Sequence, residues 1–188
     1  MWSAIKRTTE PTSEPVSKAE LKSNLRLDGS DQDDMLDVLI QASREAIEAR
    51  LHRTLVNTTY TQYYDSFPKT IELYRPPVSV VTSIKYYDVA GDLQTVDAGD
   101  YVTDLNSLPP RINPTESWLD TEIRTGAVEI LFTAGYGADS TSVPDAIRQA
   151  ILMLASDVYE HPESNVELRM TENMTVKFLL SAYMVPAL

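Results

Sequence analysis

The chain has 188 residues, of which 43% are apolar and 23% charged, proportions ordinary for a globular protein. It contains no cysteine, which excludes disulfides and thiolate metal sites, and its net charge is −12. Residues 1–75 carry 10 basic and 12 acidic side chains and residues 76–188 carry 6 and 16, a balance that repels phosphate backbones and argues against DNA binding through a basic patch.

This length fits one domain, or one domain with an arm, and such a chain buries about 70% of its unfolded surface. The longest apolar run, Ala150 to Ala155, is far too short to span a bilayer, so no membrane partner is expected. The opening residues lack the apolar core of a secretory signal, and synthesis in a cytoplasm is the expectation.

In chain order, residues 1–16 hold Pro11, Pro15 and several Ser/Thr, and read as a flexible arm. Ser17-Lys18-Ala19-Glu20 is a capping box flanked by Val16 and Leu21 at the staple positions. The helix it opens is expected to stop near Asp28-Gly29. A second helix starts at Ser30-Asp31-Gln32-Asp33, where acidic groups complement the helix dipole. Leu36, Leu39, Ile40, Ser43, Ile47 and Leu51 give it one inward face as far as about Thr54.

From Val56 the period becomes two. Strands are expected at 59–64, 70–74, 78–87, 93–96, 101–103, 111–112 and 127–133, with turns at Ser66-Phe67-Pro68, Val89–Asp92 and Gly135-Tyr136-Gly137. Pro76 and Pro77 lead into the β-branched run that ends at Tyr86-Tyr87. Helical spacing returns after Pro144 with Ile147, Ile151, Leu154 and Val158, and His161-Pro162 ends it. Residues 163–188 carry a weaker apolar pattern and read as a tail that orders against a partner. The fold class is α+β: a helical body (17–54 and 144–161) with an inserted antiparallel sandwich or barrel-like module (56–137), together forming one domain over 17–162.

No catalytic constellation emerges. Asp28–Asp34 suggests a calcium loop but lacks the EF-hand glycine and final glutamate, so a linker with a helix N-cap is the better reading. Gly135-Tyr136-Gly137 has no following Gly-Lys-Ser/Thr, and a chain-reversing turn is favoured over a phosphate cradle. His52 and His161 stand near helix C-termini without a metal-ligand spacing. There is no Gly-x-Ser-x-Gly elbow. No metal, cofactor or catalytic residue is expected. The tyrosines Tyr60, Tyr63, Tyr64, Tyr74, Tyr86, Tyr87 and Tyr101 serve packing in the first instance, with a carbohydrate- or protein-binding β-module as the alternative and a hydrolase using acidic pairs as a third possibility.

Five stretches, taken in order, resemble the head–tail connector, or adaptor, proteins of tailed bacteriophages and prophages. They are LKSNLRLDGSDQDDMLDVLIQASREAIEARLHRTL (21–55), RPPVSVVTSIKYYDVAGDLQTV (75–96), YVTDLNSLPPRI (101–112), AVEILFTAGYG (127–137) and VPDAIRQAILMLASDVYEHPE (143–163). The resemblance implies a non-enzymatic head-completion protein at the virion neck, in a homo-oligomeric ring, commonly a dodecamer. Its implied partners are further copies of itself, the portal protein and a tail-completion or stopper protein. The resemblance also implies that DNA passes through the lumen without specific binding and that the protein resides in the host cytoplasm during assembly. The residues ENMTVKFLLSAYMVPAL depart from the family pattern. The expected partner contacts are Phe178, Leu179, Leu180 and Tyr183 in the tail, and Tyr86 and Tyr87 on the outer face of the β-module.

Overall fold

Ser17 starts the first helix as its sequence requires. Its hydroxyl accepts a hydrogen bond from the Glu20 backbone N–H at 3.2 Å, and the Glu20 carboxylate accepts from the Ser17 N–H at 2.7 Å. In the computed structural model, which describes residues 3–161 and 173–184, this helix, α1, spans Lys18–Leu25. The second, α2, spans Asp33–Leu51, with Asp33 and Asp34 in its first turn. Both end on left-handed residues that are not glycine, Arg26 (φ 57°) and His52 (φ 52°). The next amide in each case reaches back to the helix, Leu27 to the Lys22 carbonyl (3.0 Å) and Arg53 to that of Glu48 (3.2 Å). The first helix therefore stops three residues before the expected Asp28-Gly29.

Helix α3 covers Asp145–Glu160, and α4 covers Met174–Ser181. A 3-10 turn at Ser140–Ser142 precedes α3, capped by the Asp139 side chain. Leu21, Leu36, Ile40 and Ala155 form one buried cluster. Ile47, Leu51, Ile147, Ile151 and Leu154 are also inside, whereas Leu39 and Val158 are half-buried. Burying each such side chain contributes about 1.5–3 kcal/mol. These helices, with residues 12–17, make up one compact unit, Thr12–Val56 with Gly137–Leu188.

The second unit, Met1–Pro11 with Asn57–Tyr136, is the β-module. Its strands are β1 (Ser3–Thr9), β2 (Thr58–Tyr64), β3 (Ile71–Glu72), β4 (Val78–Tyr87), β5 (Leu93–Thr95), β6 (Tyr101–Asp104), β7 (Arg111–Pro114) and β8 (Val128–Ala134). Five of them form an antiparallel sheet in the order β1-β2-β8-β4-β5, and three form a second in the order β3-β7-β6. Strict alternation in β2 and β8 sends Tyr60, Gln62 and Tyr64, and Val128, Ile130, Phe132 and Ala134, to the interior. They meet Ile71 and Ile112 from the smaller sheet, and Leu73 just beyond β3, in a single core. The module is a sandwich rather than a closed barrel.

Two expectations about the termini change. Residues 3–9, expected in a flexible arm, pair with β2 from Ser3↔Tyr64 to Thr9↔Thr59. Ile5 packs on the module's core, and this one inward apolar residue was too little for a period-two signal. Residues 12–16 dock on the helical unit: the Ser13 hydroxyl donates to the Ala138 carbonyl (2.8 Å), Arg148 Nε donates to the Pro15 carbonyl (3.0 Å), and Val16 is buried. In the C-terminal stretch, α4 packs on α3 with Val176 and Leu180 buried, and Arg53 Nε donates to the Tyr183 carbonyl at 2.6 Å. Residues 174–184 are thus ordered within their own chain; the rest of the expected arm lies outside the described residues.

Candidate interaction surfaces

Tyr86 and Tyr87 are adjacent on β4, so the pleat points them in opposite directions. Tyr86 enters the core, where its ring lies 5.7 Å from that of Phe67. Phe67 in turn stacks on Trp118 at 4.6 Å with an interplanar angle of 5°. Tyr87 stays half-buried, and the Arg124 guanidinium sits 3.9 Å over its ring. The 115–125 loop is pinned there by the Glu122 N–H, which donates to the Tyr87 carbonyl at 3.0 Å. The loop and residues 65–67 line a cleft of about 810 Å³, with Asp65, Phe67, Trp118, Ile123 and Arg124 among its walls, and Leu119 and Ile123 of this lining are exposed.

Of the six expected partner contacts, the structure leaves four at the surface to different degrees. Phe178 is 78% exposed on α4, and Leu179, Tyr183 and Tyr87 are half-buried. Leu180 and Tyr86 are corrected to core residues, at 0% and 9% exposure. Sequence periodicity missed Met174, four residues before Phe178 and 73% exposed, which extends the outward apolar face of α4. The tyrosine set is similarly divided: Tyr60, Tyr64 and Tyr86 are buried, and Tyr63, Tyr74, Tyr87 and Tyr101 are half-buried. No common aromatic platform of the kind a sugar site needs is formed by residues split between two faces and a core.

Polar groups that are buried serve architecture. Gln62 Nε2 donates to the Tyr64 hydroxyl (2.6 Å) and to the Glu72 carbonyl (2.8 Å), and its Oε1 accepts from the Tyr74 N–H (3.1 Å). Burial pushes the Tyr64 phenol up to about 12. Within the acidic run at 28–34, Asp33 pairs with both Lys18 and Lys22. The Asp139 carboxyl is held below its ordinary range by hydrogen bonds from the Thr141 and Ser142 side chains. Gly137 is a close-approach position: a Cβ there would stand 2.1 Å from the Ser142 hydroxyl oxygen. Gly137 thus seats the 3-10 turn. His52 and His161 are exposed helix-end residues. Among the described residues no group of three or more His, Asp or Glu could hold a metal ion, and no helix is long and apolar enough to cross a membrane.

Comparison with known proteins places this architecture in a class. Residues 19–90, which hold α1 from its second residue, α2 and strands β2 to β4, match the model of the family described as Phage gp6-like head-tail connector protein. The whole chain superposes on solved neck and virion structures of gene transfer agent (GTA) particles. One is the neck of an empty GTA particle computed with C6 symmetry, with a TM-score of 0.83, 25% identity, and coverage of 98% of this chain and 97% of the other. A second, the virion of a native GTA particle, gives 0.80 and 26%, covering 98% and 96%. A third, the neck of a native GTA particle computed with C12 symmetry, gives 0.76 and 26%, covering 98% and 97%. No curated protein sequence matches the chain. The resemblance to phage head–tail connectors holds on both grounds, and with it a structural connector role in a phage-like particle.

Proposed function

We propose that this chain is the head–tail adaptor, or head-completion, protein of a tailed bacteriophage, prophage or related particle, forming a ring between the portal and the tail through which DNA passes. The observation that carries the reading is the end-to-end superposition on neck components, two of whose particles were computed with C6 and C12 symmetry. A dodecamer is the copy number we assign. The net charge of −12 supports the passage of DNA, because a ring of acidic subunits repels phosphates over about 8 Å at physiological salt. The chain's work is done by shape and contact, with no bond-making step. In the particle its neighbours are other copies, the portal on the head side and a stopper protein on the tail side, and assembly takes place in the host cytoplasm.

Electron microscopy of purified particles tests this directly. A ring of this chain between portal and tail is the expected image; particles whose neck lacks the chain would refute the reading.

A further inference from the structure

The five-stranded sheet has β1 and β5 as its edge strands. Among the described residues no strand pairs with the outer side of β1, and none with the outer side of β5. Such edges present unpaired backbone N–H and C=O groups that template pairing with another chain. The two edges here are unlike. The β1 edge carries Lys6, exposed, with Ala4 and Ile5 half-buried beside it, while Arg7 pairs with exposed Glu10 just beyond the strand at 2.9 Å. The β5 edge exposes all three of its residues, Leu93, Gln94 and Thr95, and is flanked by exposed Asp92, Asp97 and Asp100. Val89, in the turn leading to it, is 75% exposed.

Unlike edges have a consequence for symmetry. A two-fold contact uses one patch against itself, whereas a cyclic ring requires two different, complementary patches on each copy. An edge that exposes Lys6 and an edge flanked by three aspartates, on opposite sides of one sheet, meet that requirement, and either edge against itself sets Lys6 beside Lys6 or aspartates beside aspartates. We propose that the occupant of each edge is a second copy of this chain, with β1 of one subunit lying along β5 of the next. The inference rests on the ring reading and names the contact that closes the ring. Since β5 is only three residues long, each contact is short, and the ring gains by repeating it.

The chain's lack of cysteine makes the test clean. Paired cysteines are introduced into the full chain, one at Ala4, Lys6 or Thr8 and one at Leu93 or Thr95, so that the panel samples the possible registers. Disulfides need Cα atoms about 4.4–6.8 Å apart, so only apposed strands react. The variants are oxidised in assembled necks, with electron microscopy of the same samples. The expected result is that at least one pair yields a ladder of products larger than dimers, while the single-cysteine chains yield none. Intact rings without cross-links from any pair would overturn the edge contact and leave the ring reading standing. Dimers from single β1 cysteines would also overturn it, by showing a two-fold contact. Particles without rings would remove the ring reading itself.

Discussion

Arg44 and Glu48 lie one turn apart on α2, and both side chains are inside the helical unit, at 1% and 4% exposure. Arg44 Nη1 donates to Glu48 Oε2 at 3.0 Å while its Nε donates to Glu14 Oε2 at 2.8 Å. Glu48 uses its other oxygen to accept from the Leu55 N–H at 2.8 Å. One buried pair thus fastens both the segment that enters α1 and the segment that leaves α2. Removing one partner strands a charge in the core, which typically costs about 3–5 kcal/mol, more than the pair itself contributes. Arg44→Ala is expected to fall within that range in urea unfolding of the full chain. Unchanged stability would mean that water replaces the guanidinium freely.

The Glu20 carboxyl is held below the ordinary carboxylate range, first by the Ser17 backbone N–H, with burial opposing and with the Ser17 hydroxyl and the Arg148 guanidinium adding to it. A carboxyl whose folded-state value lies below its unfolded value of about 4.3 stabilises the fold above that value. The contribution is lost as pH falls through the folded value. Glu20→Gln is therefore expected to be less stable than the parent at pH 7, with the two curves converging as the pH drops below about 4. Chemical denaturation at several pH values reads this. A gap that stays constant with pH would assign the effect to packing instead.

At the alkaline end the sign reverses. Tyr64 is raised from 10.0 to about 12 because burial disfavours the phenolate. Its stabilising effect is complete below the unfolded value and disappears as pH rises from about 10 toward 12. Tyr64→Phe loses the hydrogen bond to the Glu72 carbonyl (2.8 Å), at a cost of about 1 kcal/mol at pH 8. It is expected to lose less stability than the parent between pH 9 and 11. Thermal unfolding followed across that range is the measurement, and parallel curves would contradict the burial of the hydroxyl.

Local rules made much of this fold legible. The capping box at Ser17, the stripe Leu36–Ile40–Ile47–Leu51 and the alternation in β2 and β8 are short-range patterns that set both period and direction. The errors fall where tertiary context decides. Arg26 and His52 take left-handed backbone that sequence reasoning reserves for glycine, and β1 becomes a strand because β2 offers an edge. Leu180 and Phe178 lie two residues apart in one helix, and nothing in KFLLSAY says which of them faces α3. Tyr86 and Tyr87 posed the same difficulty on a strand, because the facing depends on register with β8 (Tyr86↔Val128).

The opposite facings on α4 separate folding from docking. Deleting the whole tail would confuse the two, because Val176 and Leu180 belong to the helical unit's core. Leu180→Ala removes buried volume, and about 2–5 kcal/mol of stability is expected to go with it. Phe178→Ser acts at a side chain that is 78% exposed, so the unfolding midpoint is expected to stay within about 0.5 kcal/mol of the parent. If the face formed by Met174 and Phe178 meets the portal, Phe178→Ser weakens binding to portal-bearing heads while Lys177→Ser, one residue away and also exposed, leaves it unaltered. Sedimentation of the folded variants with purified heads measures the difference. Equal co-sedimentation of parent and Phe178→Ser would move the portal contact away from this helix face.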